Sequence, residues 1–365
     1  MSETRPEDQA PLAPTTPVSV VVVNYEGARH LRETLPAVAA LKGEVCEVIF
    51  VDNASSDESV QLARELLPEV TVIETGGNLG PAAARNLGLA AAKSRWVLLL
   101  DNDVVCPPQT LEVLLAAAVP GVALVQPRSV LDDAPSVVHY DGGSPNCLGL
   151  ITLDNFYAPL GVAEGAGARD VDCVISLALL CDADAVRGAG GFDEDYFILF
   201  EDLDLSWRLR SRGARLRVTA DVCVRHRAGT RGVSFREGPS YPARRLFLHA
   251  RNRWMFLTRN LRWRTLLLLA PALLLYELAG LGLALASGHP FAWIRGELAA
   301  IGGLGRTLAV RRQRSGARVL RDKDLLVGGP LTATPDAVRG LRGLLYAGLS
   351  GVTRAWWGLV RALAA

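Results

Sequence analysis

The chain has 365 residues, 39 Lys and Arg against 38 Asp and Glu, and a formal net charge of +1. That length suits one catalytic-sized domain with an appendage, and near-neutral charge gives no global sign of a polyanionic partner such as nucleic acid. The balance hides an asymmetry, because arginines gather late: Arg244 to Arg264 holds seven of them and no acidic residue. Such a run suits phosphate, whether in lipid headgroups or in nucleic acid, although a solvated helix face is the plainer alternative.

Residues 1–17 are polar and rich in proline, with no basic start leading into an apolar stretch, so a disordered cytosolic tail without a secretory signal is expected. Val18 to Val23 is an unbroken apolar, β-branched run closed by Asn24 and Tyr25, which predicts a strand buried on both faces. A helix is expected from about Arg29 to Leu41, then a second buried strand from Val45 to Val51, ending in Asp52 and Asn53. Ser55 with Glu58 has the spacing of a capping box opening the next helix. Val70 to Glu74 reads as a short strand, Gly76 to Gly80 as a glycine-rich turn, and Ala82 to Lys93 as a helix with Pro81 at its start. Trp96 to Leu100 is the fourth strand, running into Asp101, Asn102 and Asp103.

This rhythm predicts a doubly wound α/β domain whose polar residues collect at the carboxyl ends of the strands. Val122 to Pro127 and Val171 to Leu180 are further strands, separated by an irregular stretch around Gly142 to Tyr157. The six cysteines, Cys46, Cys106, Cys147, Cys173, Cys181 and Cys223, include no close pair of the zinc or redox kind and read as reduced, mostly buried thiols.

Thr265 to Ala286 carries Glu277 as its only charge and is long enough to cross a bilayer. Arginines flank both ends, a mid-helix Glu costs about 2.5 to 3.5 kcal/mol, and Phe291 to Val310 carries Arg295, Glu297 and Arg306. In-plane or shallow insertion is therefore favoured, with full crossing the alternative. Pro335 to Ala365, with Trp356, Trp357 and spaced arginines, suits an amphipathic interfacial helix or one packed on the domain. The expected domains are a tail at 1–17, a catalytic domain at 18–235, a basic and hydrophobic helical membrane-associated region at 236–325, and an amphipathic helix at 326–365.

Asp101 and Asp103 lie two apart at a strand end, where two carboxylates can hold a divalent cation against a diphosphate. Asp52 is placed to accept hydrogen bonds from a base edge or ribose hydroxyl. Asn78, Gly80 and Arg85 combine close backbone approach with a bidentate grip on phosphate. No GxGxxG element is present, which removes the main support for dinucleotide redox chemistry. Gly190 to Arg210 reads GGFDEDYFILFEDLDLSWRLR and is densely acidic. Asp202 is the candidate general base and Glu201 its neighbour in that role, while Glu201, Asp202 and Asp204 would equally suit the start of a helix from Leu205. His226, after the apolar run Leu216 to Val224, is a candidate third metal contact or a structural histidine.

Taken together, VSVVVVNYEG, VIFVDNASSDES, GGNLGPAAARNLGL, WVLLLDNDV, the acidic stretch above and VRHRAGT resemble glycosyltransferase family 2, in particular rhamnosyltransferase-like enzymes of bacterial surface polysaccharides. The motifs stand in family order over residues 18 to about 230. The resemblance implies a GT-A fold, with a Rossmann-like mixed sheet and a helical membrane-associated extension, an inverting mechanism, and Mg2+ or Mn2+. It places Asn24, Tyr25, Asp52, Asn78, Gly80, Arg85, Asp101 and Asn102 around the nucleotide of a diphospho-sugar donor. Asp101, Asp103 and His226 fall at the metal, and Asp202 at the base. It also implies a lipid-linked or polysaccharide acceptor, a rhamnose donor such as dTDP-rhamnose, and work at the cytoplasmic face of the plasma membrane. Rival readings are a sugar nucleotidyltransferase, which would need a basic phosphate loop where Asn24 to Gly27 stands, and a non-catalytic nucleotide-binding scaffold.

Overall fold

The computed structural model describes residues 11–227, 229, 233–234, 241–314, 316 and 318–364. They form two compact units, Met1–Gly142 with Asp154–Leu209 and Ala214–Ala228, and Gly143–Leu153 with Arg210–Gly213 and Gly229–Ala365. Most of the expected tail, residues 1–10, lies outside the described residues. Residues 11–17 make a turn, Thr16 N–H donating to the Ala13 carbonyl at 2.9 Å, with Leu12 packed against the core.

The first unit begins β1 (Val18–Asn24), α1 (Ala28–Ala39), β2 (Val45–Asp52), α2 (Ser59–Leu66), β3 (Thr71–Glu74), α3 (Gly80–Ala91) and β4 (Trp96–Asp101). These four strands are mutually parallel in the order β3-β2-β1-β4. The chain continues through β5 (Val104–Val105), α4 (Thr110–Ala117), β6 (Val122–Leu131) and β7 (Val138–Tyr140). A hairpin of the second unit, β8 (Gly143–Pro145) and β9 (Ile151–Leu153), intervenes before β10 (Ala168–Val171), β11 (Ala178–Asp182), α5 (Ala183–Gly188), α6 (Glu201–Ser211) and β12 (Arg215–His226). The sheet closes as β10-β12-β6-β11-β4-β1-β2-β3, and β11 runs antiparallel between β4 and β6, so it is mixed.

Alternation across β1 explains why it is apolar throughout. Val18, Val20 and Val22 pack on one face with Leu31 and Leu35 of α1 and Leu111 and Leu114 of α4. Val21 and Val23 pack on the other with Ala82, Ala84 and Leu89 of α3 and Leu205 of α6. A strand covered on both sides has no polar face, as the sequence implied.

Three local expectations are corrected. Ser55 does not cap α2, which starts at Ser59 after Glu58 without a side-chain cap bond; its hydroxyl is taken by Asp52. The strand expected over Val171 to Leu180 is two strands, β10 and β11, because the amides of Val174 and Ile175 bond to side chains instead of a ladder. The irregular stretch at 142–157 contains the β8–β9 hairpin. The described cysteines are all free thiols, with Cys46 exposed and Cys223 half-buried.

In the second unit the helices are α7 (Ala243–Asn260), α8 (Trp263–Ala286), α9 (Pro290–Gly302), α10 (Leu304–Arg314), α11 (Asp322–Leu325) and α12 (Gly340–Val360). One face of α8, with Thr265, Leu269, Ala272 and Leu273, is buried. Leu267, Leu274, Leu278 and Leu285, spaced seven, four and seven apart, form an exposed stripe on another. Glu277 is ion-paired with Arg253 of α7, whose guanidinium also donates to the Leu148 carbonyl at 2.8 Å. The Trp356 indole of α12 donates to the Leu268 carbonyl at 2.9 Å, and α12 exposes Leu341, Leu345, Val352 and Leu359.

Candidate active site

The carboxyl ends of β1, β2 and β4 lie side by side, which brings their terminal polar residues together. Asn24 Nδ2 donates to Asp52 Oδ1 at 2.7 Å and to Ser55 Oγ at 3.0 Å, and its own Oδ1 accepts from Asn102 Nδ2 at 2.7 Å. Asp52 also accepts from the Ser55 hydroxyl and backbone N–H, at 2.6 and 2.8 Å. Gly27 makes room for this knot: a Cβ there would stand 2.1 Å from both the Asn24 and Asn102 amides. Tyr25 presents its ring to solvent.

The glycine-rich turn is fastened to the same edge. Asn53 Oδ1 accepts from Leu79 N–H at 3.1 Å, and Asn78 Oδ1 accepts from Gly80 N–H at 3.0 Å, so Asn78 shapes the turn. Gly80 has φ +85, and an added Cβ would lie 2.6 Å from the Phe197 carbonyl.

From the first turns of α3, Arg85 reaches a buried acidic group. Its guanidinium meets Asp101 at 2.8 Å and Glu201 at 3.4 Å and lies over the Phe192 ring. Burial opposes its charge, yet Asp101, Asp202 and Glu201 together hold its pKa above the usual arginine value. Burial, with the neighbouring Asp103 adding to it, pushes Asp101 up to about 6 against the pull of Arg85. Glu201 and Asp202 are both raised, chiefly by desolvation, and Glu201 further by the charge of Asp202. Glu201 Oε2 is buried without a hydrogen-bond partner. Asp202 accepts a hydrogen bond from the Ser176 hydroxyl.

Asp204 belongs to a different network. Fully buried, it accepts from Arg208 Nε at 2.7 Å and from the Tyr196 hydroxyl at 3.3 Å, and Arg208 in turn donates to the Ala189 and Gly191 carbonyls. The acidic trio thus divides: Asp204 holds α6 to the fold, while Glu201 and Asp202 face Arg85. The approach to α6 is strained, with Phe197, Leu199 and Phe200 at φ +64, +69 and +77, conformations that cost about 1–3 kcal/mol each and persist only where the surroundings impose them.

Asp103 and His226 form the third group. His226 Nε2 lies 3.2 Å from Asp103 Oδ2, and burial, which alone would raise the Asp103 pKa, is overridden by His226 so that the net shift is downward. The other face of the imidazole meets His139, Nδ1 to Nδ1, at 2.9 Å. Two such nitrogens need one proton between them.

The donors suit a hard divalent cation: Asp101 and Asp103 supply carboxylate oxygens and His226 an imidazole nitrogen. Three carboxylates, Asp101, Glu201 and Asp202, surround the single guanidinium of Arg85, and a dication beside Asp101 and Asp103 would offset the excess. Asp101, Asp103 and His226 do not form a closed cage, because among the described residues no trio of His, Cys, Asp or Glu is arranged to hold an ion by itself. Further ligands would have to come from water or from a bound anion.

Sequence reasoning passed over Asn53, Ser55, Ser176 and His139. Ser55 carried a signal misread as a cap; Ser176 and His139 are isolated polar residues whose partners are distant in sequence.

Residues 19–140, which hold the strand ends and Arg85, match the profile of glycosyl transferase family 2. Over that stretch the chain is similar to family 2 glycosyltransferases. It is 35% identical over 217 residues to the pre-mycofactocin glycosyltransferase of Mycobacterium tuberculosis, a match over 57% of this chain but only 42% of that protein. It is 29% identical over 275 residues to the N-acetylglucosaminyl-diphospho-decaprenol L-rhamnosyltransferase of the same organism, covering 68% of this chain and 87% of the relative. In fold it is similar to GalNAc-T7, solved with UDP, GalNAc and Mn2+, with a TM-score of 0.52 and 15% identity over 67% of this chain and 48% of that one. The mixed sheet flanked by helices is thus a GT-A fold.

The raised Glu201 pKa gives the first unit a testable pH dependence. Its folded pKa, up to about 8, exceeds the ordinary 4.5, so between those values the folded state binds more protons than the unfolded one. Stability from this group is complete below about pH 4.5 and is lost as the pH rises through the folded value. Urea unfolding should show Glu201→Gln losing less stability than the parent as the pH is raised across this window. Parallel pH curves would contradict the assignment.

Proposed function

We propose that the chain is an inverting glycosyltransferase that moves a sugar from a nucleotide-diphosphate donor to a hydroxyl of a lipid-linked or polysaccharide acceptor. The observation that carries this reading is Asp202, a carboxylate with a raised pKa, beside the Arg85 and Asp101 pair at the ligand-binding edge. In this reading the Asn24, Asp52, Ser55 and Asn102 knot receives the nucleoside, with Tyr25 at its rim. Gly80 and the turn shaped by Asn78 allow close backbone approach, and Arg85 supplies positive charge near the diphosphate.

A bound Mg2+ or Mn2+, held by Asp101 and Asp103 with His226 beside them, would supply charge to offset that of the departing diphosphate. Asp202 accepts the proton of the acceptor hydroxyl as its oxygen bonds to the anomeric carbon. The bond to the diphosphate oxygen breaks on the opposite face, and its electron pair leaves with the nucleotide. Glu201, tied to Arg85, keeps that guanidinium in place.

The second unit offers an apolar surface for a bilayer. The stripe on α8 is preceded by Arg262 and Arg264, and Glu277 is ion-paired with Arg253. We therefore read α8 as lying in the interface instead of crossing, on the cytoplasmic side with an anionic leaflet as partner. A decaprenol-linked acceptor is named for the rhamnosyltransferase relative, and rhamnose is the donor sugar it suggests for this chain; membrane contact would suit an acceptor of that kind.

Two measurements test the proposal. Calorimetry with UDP, GDP and dTDP should find at least one bound more tightly with Mn2+ than without, and Asp103→Ala should abolish the difference; Mn2+-independent affinity in the parent would count against the metal site. In vesicle flotation, the chain should float with phosphatidylcholine–phosphatidylglycerol vesicles, and replacing Leu267, Leu274 and Leu278 together by Gln should weaken partitioning by roughly tenfold or more. Equal flotation of parent and variant would remove α8 from the interface.

A further inference from the structure

The segment between β10 and β11, residues 172–177, joins three parts of the first unit. At its end, Asp101 N–H donates to the Leu177 carbonyl at 2.9 Å, tying it to the close of β4. Ile175 N–H donates to Gln126 Oε1 on β6 at 2.7 Å, and Val174 N–H to Ser206 Oγ on α6 at 3.2 Å. Gln126, Ser206 and Ser176 are all buried. Ser176 then donates its hydroxyl to the Asp202 carboxylate at Oδ1.

We propose that Ser176 is a positioning residue for the base, gripping Asp202 at Oδ1 so that Oδ2 is turned toward the acceptor hydroxyl. This rests on the reading of Asp202 as the base. A carboxylate on a short side chain rotates between orientations, and only some are productive for proton transfer. A donor anchored to β4, β6 and α6 through one turn holds a single orientation without a charge of its own. Arg85 directs its hydrogen bonds to Asp101 and Glu201 and acts on Asp202 through charge. The same bonds explain why this apolar stretch is not a continuous strand: its amides serve side chains around the base.

The proton balance is unchanged by Ser176, which keeps its own hydrogen. The acceptor proton goes to Asp202, the new bond forms at the anomeric carbon, and the diphosphate leaves with the electron pair.

The test is steady-state release of nucleoside diphosphate by the full chain with Mn2+, supplying UDP-glucose, UDP-N-acetylglucosamine, GDP-mannose or dTDP-rhamnose and a prenyl-diphosphate-linked N-acetylglucosamine. With the donor that is turned over, Ser176→Ala should lower kcat about tenfold with an unchanged donor KM, the size expected for one hydrogen bond to a charged group. Ser176→Thr should recover most of the loss, and if the alanine variant does not fold, Ser176→Cys carries the comparison with the same expected direction. In an Asp202→Asn background, Ser176→Ala should cost nothing further, because its effect runs through the carboxylate. A kcat within twofold of the parent, or a tenfold loss that persists in the Asp202→Asn background, overturns the positioning role. Near-normal turnover by Asp202→Asn alone, or no turnover of any donor by the parent chain, instead overturns the reading on which it rests.

Discussion

One buried guanidinium holds the active edge of this protein together. Arg85 lies among Asp101, Glu201 and Asp202, acids supplied by the end of β4 and the start of α6. Carboxylates so close would repel one another and resist burial, and removing the partner from a buried charge pair costs about 3–5 kcal/mol. With Arg85 in place, α6 can begin against the sheet edge and bring two acids to it. In the proposed mechanism the remaining excess of negative charge would make the edge receptive to a cation and able to take up a proton.

Close packing delivers Arg85 to that position. Gly88, one turn further along α3, rests against Val21 of β1 so closely that an added Cβ would stand 2.3 Å from a methyl carbon. On the far side, Asp204 and Arg208 bind α6 to the Ala189 and Gly191 carbonyls. Both helices carrying the charged groups are therefore fixed by contacts that take no part in the chemistry, and the strained residues before Glu201 persist because those contacts impose them.

Much of this was legible in the sequence. β1, β2 and β4 are unbroken apolar runs that end in Asn24, Asp52 and Asp101, so buried parallel strands and a polar edge followed directly. The division of labour among Glu201, Asp202 and Asp204 did not, because three acids on one helical turn look alike until their partners are placed. The break at residues 172–177 was hidden for a related reason: its side chains are mostly apolar, while its function lies in backbone amides that composition does not report. His139 escaped notice because its partner, His226, comes from a strand 87 positions later. Glu277 shows the opposite case, a charge read as an obstacle to insertion that the fold neutralises with Arg253.

The central claim is that a single carboxylate, Asp202, acts as base in one direct displacement. Proton NMR of the first glycoside formed, compared with the donor, reads this from the anomeric configuration. Inversion is the predicted result. Retention in the first-formed product would require a second displacement or another mechanism and would contradict the account.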